Sequence, residues 1–254
     1  VTMTHSVDAA GAFKDWRPVL RTASDVATYA EAVSTTFEAG FAAAPHRARL
    51  TLCDAVFEIA SDMPQQLGLA TYALAGSATD AEAQCKLLIT GTGTLPDLPP
   101  DPFWEHHKYN DSRMCRKFEP TNLRLYHYRE RDFWQFFDKA TRRGAQIMAT
   151  PVSVPDWDTG SPLRNLVRWH LTNETQSFVH AGTLGQDGRG LMLAGPGGSG
   201  KSGTVLAGIL AGMDSVGDDY VLARLMPGGR VSTVPVFNTL KNDPKGLERL
   251  GVDI

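Results

Sequence analysis

The 254-residue sequence predicts an α/β fold: a strand–loop–helix core from Pro162 onward, preceded by an α+β region. Three observations carry this. The apolar run Leu191-Met192-Leu193-Ala194 leads straight into a glycine-rich loop, and Val205, Leu206, Ile209 and Leu210 follow at helical spacing. Upstream, aromatic-rich runs at residues 123–128, 133–137 and 145–149 alternate with charged turns, the pattern of an antiparallel meander. Between the two lies a Pro- and Asp-containing connector, residues 151–162, so that residues 1–161 form one region and 162–254 the other.

Taken in order, residues 1–22 show no period and read as a lead-in. Ser24 is placed to cap a helix to about Ala39, with Val26, Ala30, Val33 and Phe37 on one face and Gly40 as its stop. Residues 49–60 alternate weakly, as two short strands around Cys53-Asp54. Residues 67–74 fit a helix or a strand equally well. Residues 85–90 are a better strand, ended by Gly91-Thr92-Gly93. Four prolines within residues 96–102 require a loop. His106 and His107 follow; as neighbours they cannot share one face of a helix or strand. With Cys115 and His127 they match no metal-ligand spacing, so they read as surface histidines.

Phe133, Trp134, Phe136 and Phe137, with arginines nearby, have the composition of a base-stacking platform, but an aromatic sheet packed on a core is the commoner explanation. Leu163, Leu166 and Val167 fit a helix leading into the second region. Residues 177–180 are a short strand, and 182–190 a turn into the strand Leu191 to Ala194, which reads as buried. Residues 220–225 and 231–237 make an antiparallel hairpin around Pro227-Gly228-Gly229, with Pro235 placing its strand at an edge.

Composition bounds the function classes. At 42% hydrophobic residues the chain can build a real core, and a formal net charge of −3 gives no global pull toward nucleic acid or an anionic membrane. No apolar run approaches the length that crosses a bilayer, and the first residues lack a signal-peptide pattern. Three cysteines, Cys53, Cys85 and Cys115, without C-x-x-C spacing read as reduced thiols of a cytoplasmic protein. The chain begins at Val and stops just after a charged, glycine-containing stretch, which reads as a trimmed or partial chain. Its state of assembly is open, a homo-oligomer included.

The glycine-rich loop carries the chemistry. Gly195, Pro196, Gly197, Gly198, Ser199, Gly200, Lys201 and Ser202 fit the phosphate-binding pattern G-x-x-x-x-G-K-[ST], and with Gly203 they are the candidate nucleotide-binding residues. Glycines let backbone N–H groups turn toward a polyphosphate without Cβ clashes. Lys201 is placed to reach the β- and γ-phosphates and Ser202 to ligate Mg²⁺. The following helix points its N-terminus at the anion. The expected ligand is a nucleoside triphosphate.

Downstream, Asp218-Asp219 follows only Ser215-Val216-Gly217 and opens the hairpin. Two adjacent carboxylates beside a triphosphate suit two tasks: holding Mg²⁺ and accepting the proton of an incoming hydroxyl. A solvated turn is the bland alternative. If the segment is extended, as the strand after it implies, the two side chains point to opposite faces and divide the tasks.

These residues resemble the HPr kinase-like family, protein serine kinases that share a fold with phosphoenolpyruvate carboxykinases. The resemblance is carried by Val179-His180-Ala181, by Leu193 through Ser202, and by Gly217-Asp218-Asp219-Tyr220-Val221, in matching order and spacing. The chain looks closer still to the shorter HPr kinase-related proteins of bacterial biosynthetic clusters, which include kinases for a C-terminal serine of lasso-peptide precursors. Pro99-Pro100-Asp101-Pro102-Phe103-Trp104, Val154-Pro155-Asp156-Trp157 and the run Pro162 through Trp169 are similar to their linking segments, and Thr239-Leu240-Lys241 to a Lys-containing segment after their hairpin. The resemblance implies a P-loop HPr kinase/carboxykinase-like core, ATP and Mg²⁺ as cofactors, and a peptide or protein acceptor serine. It implies Asp218 as catalytic base supported by His180, with Lys201 at the transferred phosphate and Asp219 joining Ser202 at the metal. Family members continue well past the hairpin, so the core is expected to be C-terminally shortened. The acceptor-binding signature of HPr kinases is absent, so HPr itself is not the expected acceptor. Because every triphosphate-binding feature lies after Val179, the region before Pro162 is expected to serve acceptor choice. Two alternatives stay open: a P-loop ATPase or small-molecule kinase, and a non-catalytic nucleotide-binding regulator.

Overall fold

A computed structural model describes residues 2–4, 17–19, 23–91, 118, 120–128, 133–148, 150, 154–155 and 158–252. The expected loop at 96–102, His106, His107, Cys115, the turn at 129–131 and the pair Asp156-Trp157 lie outside the described residues. The architecture is mixed α/β. In chain order the elements are β1 (Thr2–Thr4), β2 (Arg17–Val19), α1 (Ala23–Ala43), β3 (His46–Leu52), β4 (Ala55–Ser61), α2 (Pro64–Ala73), β5 (Ser77–Ala78), β6 (Cys85–Gly91), β7 (Leu123–Tyr128), β8 (Phe133–Asp138) and β9 (Arg143–Met148). They continue with α3 (Arg164–Leu171), β10 (Gln176–Val179), β11 (Ala181–Gln186), β12 (Arg189–Ala194), α4 (Lys201–Leu210), β13 (Val221–Leu225), β14 (Val231–Pro235) and α5 (Pro244–Arg249). A seven-stranded sheet has the order β5-β3-β4-β6-β9-β8-β7, in which β6 and β9 run parallel and β9, β8 and β7 antiparallel.

Two compact units divide the chain. The first comprises Val1–Ala48, Glu58–Leu67 and Gln84–Val154; the second comprises Arg49–Phe57, Gly68–Ala83 and Pro155–Ile254.

In the first unit, Phe37 and Phe41 of α1 join Leu88, Phe118, Leu123, Leu125, Trp134, Phe136 and Ile147 in one buried cluster. Every residue of β8 is buried, so the strand has lost the in–out alternation of a one-sided sheet. Its polar Gln135 survives there because its Nε2 donates to Gln146 Oε1 across the strand pair at 2.7 Å. The aromatic run is therefore core and offers no face for base stacking. α1 begins at Ala23, ahead of Ser24, and runs through Gly40 to Ala43, so neither expected terminus holds. Gly40 is buried; the packing around this turn outweighs the roughly 1 kcal/mol that glycine costs in a helix interior.

In the second unit, β10, β13 and β14 form a three-stranded antiparallel sheet, and β11 pairs with β12. The expected hairpin is β13–β14, and Pro235 does sit on an edge strand, where its missing N–H costs nothing. Cys53 and Asp54 take positive φ (51° and 67°), the two-residue turn that joins the short strands β3 and β4. The ambiguous stretch at 67–74 is helix as far as Ala73, within α2, and Leu74 makes an isolated β-bridge. Residues 182–186, read as part of a turn, extend β11 as a regular strand against β12. One expectation fails outright: β12 is not buried, and Leu191 and Met192 are 54% and 39% exposed. The strand read from this apolar run is real, but β11 is its only strand neighbour among the described residues. Among the described residues no helix is long and apolar enough to cross a membrane.

Candidate functional site

β12 delivers the chain to Gly195, and α4 starts at Lys201. Gly198 (φ 77°) and Gly200 (φ 88°) are left-handed, a conformation open to glycine at no steric cost, and together they turn the chain from strand to helix within a few residues. Pro196 through Gly200 are exposed, while Lys201, Ser202 and Gly203 are half-buried in the first helical turn. The Lys201 ammonium folds back over the loop, donating to the carbonyls of Gly195 at 2.9 Å and Pro196 at 3.1 Å.

The helix is clamped onto β11 by two close approaches. A Cβ on Gly182 would meet Val205 Cγ2 at 2.4 Å, and one on Gly208 would meet Leu184 Cδ2 at 2.3 Å. The same hypothetical Cβ on Gly182 would lie 3.3 Å from Asp218 Oδ1, so the loop helix and the acidic segment converge on one glycine of β11.

Thr183 ties that segment down. Its Oγ1 accepts from the N–H of Val216 (3.0 Å) and Gly217 (3.1 Å) and lies within hydrogen-bond distance of Ser215 Oγ, while Gly185 and Asp214 exchange backbone hydrogen bonds. The acidic pair is not extended. Asp219 has φ 71°, and β13 begins only at Val221, so the expected alternation does not set the two side chains.

Asp218 turns inward. It is 2% exposed, its Oδ1 is buried without a hydrogen-bond partner among the described residues, and its Oδ2 accepts from the Lys241 N–H at 3.4 Å. Asp219 turns outward. Its Oδ1 meets His180 Nε2 at 2.9 Å and its Oδ2 meets Lys241 Nζ at 3.4 Å. His180 thus pairs with Asp219 and not with Asp218, because the left-handed backbone at Asp219 redirects its carboxylate. The His180 ring also stacks on Tyr220, with centroids 5.0 Å apart, and Arg164 covers the Tyr220 ring at 4.8 Å.

Asp158 was not legible as a site residue. It is 2% exposed, and its Oδ2 has no hydrogen-bond partner among the described residues. Burial pushes its carboxyl up to about 7, against the lowering effect of Arg164 and Lys241. Nearby, Thr239 Oγ1 donates to the Gly160 carbonyl, and the Lys241 stem lies over Gly160. Thr183 was missed as well. Arg164, in the run Pro162 through Trp169, and Lys241, in the segment at 239–241, gave a signal only through the likeness of those segments to family members.

Among the described residues no cluster of three or more His, Cys, Asp or Glu could cage a metal. Mg²⁺ does not require one: it binds through one or two carboxylates, water and substrate phosphates. The hydroxyl of Ser202 and the unpartnered Oδ1 of Asp218 are hard oxygen donors of the right kind, and the residues fit the ion in that sense. No protein-family model matches the chain, and no curated protein matches its sequence.

Proposed function

We propose that the region from Pro162 onward is a P-loop kinase core of the HPr kinase type, transferring the γ-phosphate of ATP to a serine hydroxyl of a peptide or protein. The nearest candidate acceptor is the C-terminal serine of a lasso-peptide precursor. The observation that carries this reading is the convergence at Gly182, where the helix that follows the G-x-x-x-x-G-K-[ST] loop and the Asp218–Asp219 segment meet. A glycine-rich loop without adjacent acids would support nucleotide binding alone; acids beside it supply the second half of a phosphoryl-transfer site.

The roles follow from exposure and contact. Gly195 through Gly203 bind the polyphosphate with backbone N–H groups, and Lys201 leaves the loop carbonyls to meet the transferred phosphoryl group. Asp219, outward-facing and held by His180, accepts the serine proton as the new P–O bond forms. Asp218, inward-facing and with no hydrogen-bond partner on Oδ1 among the described residues, serves with Ser202 on the metal side. This exchanges the two aspartates relative to what the family resemblance implies. Mg²⁺ supplies charge neutralisation of the phosphates when bound. In this reading the region before Pro162 contributes to acceptor choice.

Incubation with γ-labelled ATP, with and without candidate precursor peptides, tests the proposal. Label on peptide serine supports it. Free phosphate alone points to an ATPase, and binding without turnover to a regulator; either result replaces it.

A further inference from the structure

The acidic segment poses an electrostatic difficulty that Lys201 alone does not resolve. Asp158, Asp218 and Asp219 sit around the site, and a polyphosphate brought beside them needs more than one cation. Arg164 is committed to the face of Tyr220. Lys241 is placed differently. Its side chain is 36% exposed and its Nζ lies 3.4 Å from Asp219 Oδ2, so the ammonium reaches both the acidic pair and solvent.

We propose that Lys241 is a second phosphate-binding cation of this site and that Asp158 is the residue that positions it. The inference rests on the nucleotide reading above.

Lys241 is held along its whole length. Its backbone N–H donates to Asp218 Oδ2 at 3.4 Å. Its stem lies across Gly160, where an added Cβ would stand 3.3 Å from Cε, 3.6 Å from Cγ and 3.8 Å from Cδ. The Thr239 hydroxyl fastens the same strand of chain to the Gly160 carbonyl. Gly160 belongs to a tight turn closed by Asp158 N–H to Pro155 O at 2.8 Å and Ser161 N–H to Asp158 O at 3.1 Å. That turn presents the buried Asp158 carboxylate. A buried carboxylate oxygen without a hydrogen-bond donor is tolerated when cations face the group, and Arg164 and Lys241 supply them. A lysine ordered before the phosphate arrives gives up less side-chain freedom on binding.

The test compares ATP with ADP, because a cation at the terminal phosphate discriminates between them. Affinities of Mg-ATP and Mg-ADP are measured by titration calorimetry at pH 8. Lys241→Met is expected to weaken ATP about tenfold and to leave ADP within about twofold, the size of one lost charge-assisted hydrogen bond. Asp158→Asn should reproduce most of that selective loss, and the double variant should lose no more than Lys241→Met alone. Gly160→Ala crowds the Lys241 stem without touching Asp158 and should show the same selectivity, which covers the case in which Asp158→Asn does not fold. Equal weakening of both nucleotides by Lys241→Met would overturn the terminal-phosphate contact. Fully additive losses, or an unchanged ATP-to-ADP ratio in Gly160→Ala, would overturn the positioning role. Wild-type protein that binds neither nucleotide would instead overturn the nucleotide reading itself.

Discussion

Strands β8 and β12 are each six residues long, and each was read from sequence as an apolar strand, yet β8 is sealed and β12 lies open. Phe133, Trp134, Phe136 and Phe137 are at most 3% exposed, whereas Leu191 is 54% exposed. The difference lies in their neighbours. β8 has a strand on each side, and Phe37 and Phe41 of α1 join its cluster. β12 pairs with β11 alone among the described residues. An apolar run therefore reports that a segment forms a strand; the layers around it decide whether that strand carries stability. Here the sealed strand belongs to the scaffold of the first unit, and the open one carries the loop on which the proposed chemistry depends.

Substitutions sharpen the contrast. Phe136→Ala removes a buried ring from the cluster of the first unit and should cost about 3–5 kcal/mol of stability, read as a shift in denaturation midpoint. A cost under about 1 kcal/mol would mean that the cluster does not hold the unit together. Lys201→Ala should do the reverse. The loop is exposed and the fold should keep its melting temperature, while phosphoryl transfer loses on the order of 3 kcal/mol of transition-state stabilisation, about a hundredfold or more in rate. Activity within a few-fold of wild type would remove Lys201 from the transferred phosphate.

Asp158 gives an intermediate effect with a defined pH signature. Its carboxyl is raised from 3.8 to about 7 by burial, so between those values the native state holds a proton that the unfolded chain has released. Its contribution to stability therefore falls as pH rises through that window and levels off above it, by about 4 kcal/mol. Asp158→Asn should flatten this part of the stability–pH curve, as thermal melts across the window would show. An unchanged slope in the variant would place the titration elsewhere. The smallest effect belongs to the open strand: Leu191→Ser should alter stability by no more than about 0.5 kcal/mol, and a larger loss would show that β12 is covered in solution.

Much of this molecule was legible in local sequence. The β7–β8–β9 meander, the β13–β14 hairpin with Pro235 at its edge, and a loop flanked by strand and helix all rest on short-range signals: alternation, turn residues and helical period. The failures were tertiary. Gly40 looked like a helix stop because only packing in the buried cluster explains its place inside α1. Asp218 and Asp219 looked like alternating strand residues because nothing local announces a left-handed Asp219. Asp158 lies far from the loop in sequence, and only the fold brings it under Lys241. Hydrogen bonds from the Thr183 side chain, across more than thirty residues to the Ser215–Gly217 segment, were invisible for the same reason.

In the proposed reaction an outward-facing Asp219 moves the serine proton while an inward-facing Asp218 does not. Single-turnover transfer from saturating ATP to a seryl peptide tests it, with Asp219→Asn and Asp218→Asn run beside wild type and ATP affinity measured for each. Asp219→Asn is expected to keep ATP affinity within a few-fold and to lose about a hundredfold or more in transfer rate. Asp218→Asn should recover part of its defect at high Mg²⁺, whereas Asp219→Asn should not. Normal transfer by Asp219→Asn, with a metal-insensitive loss in Asp218→Asn, would contradict the assignment and return the base to Asp218.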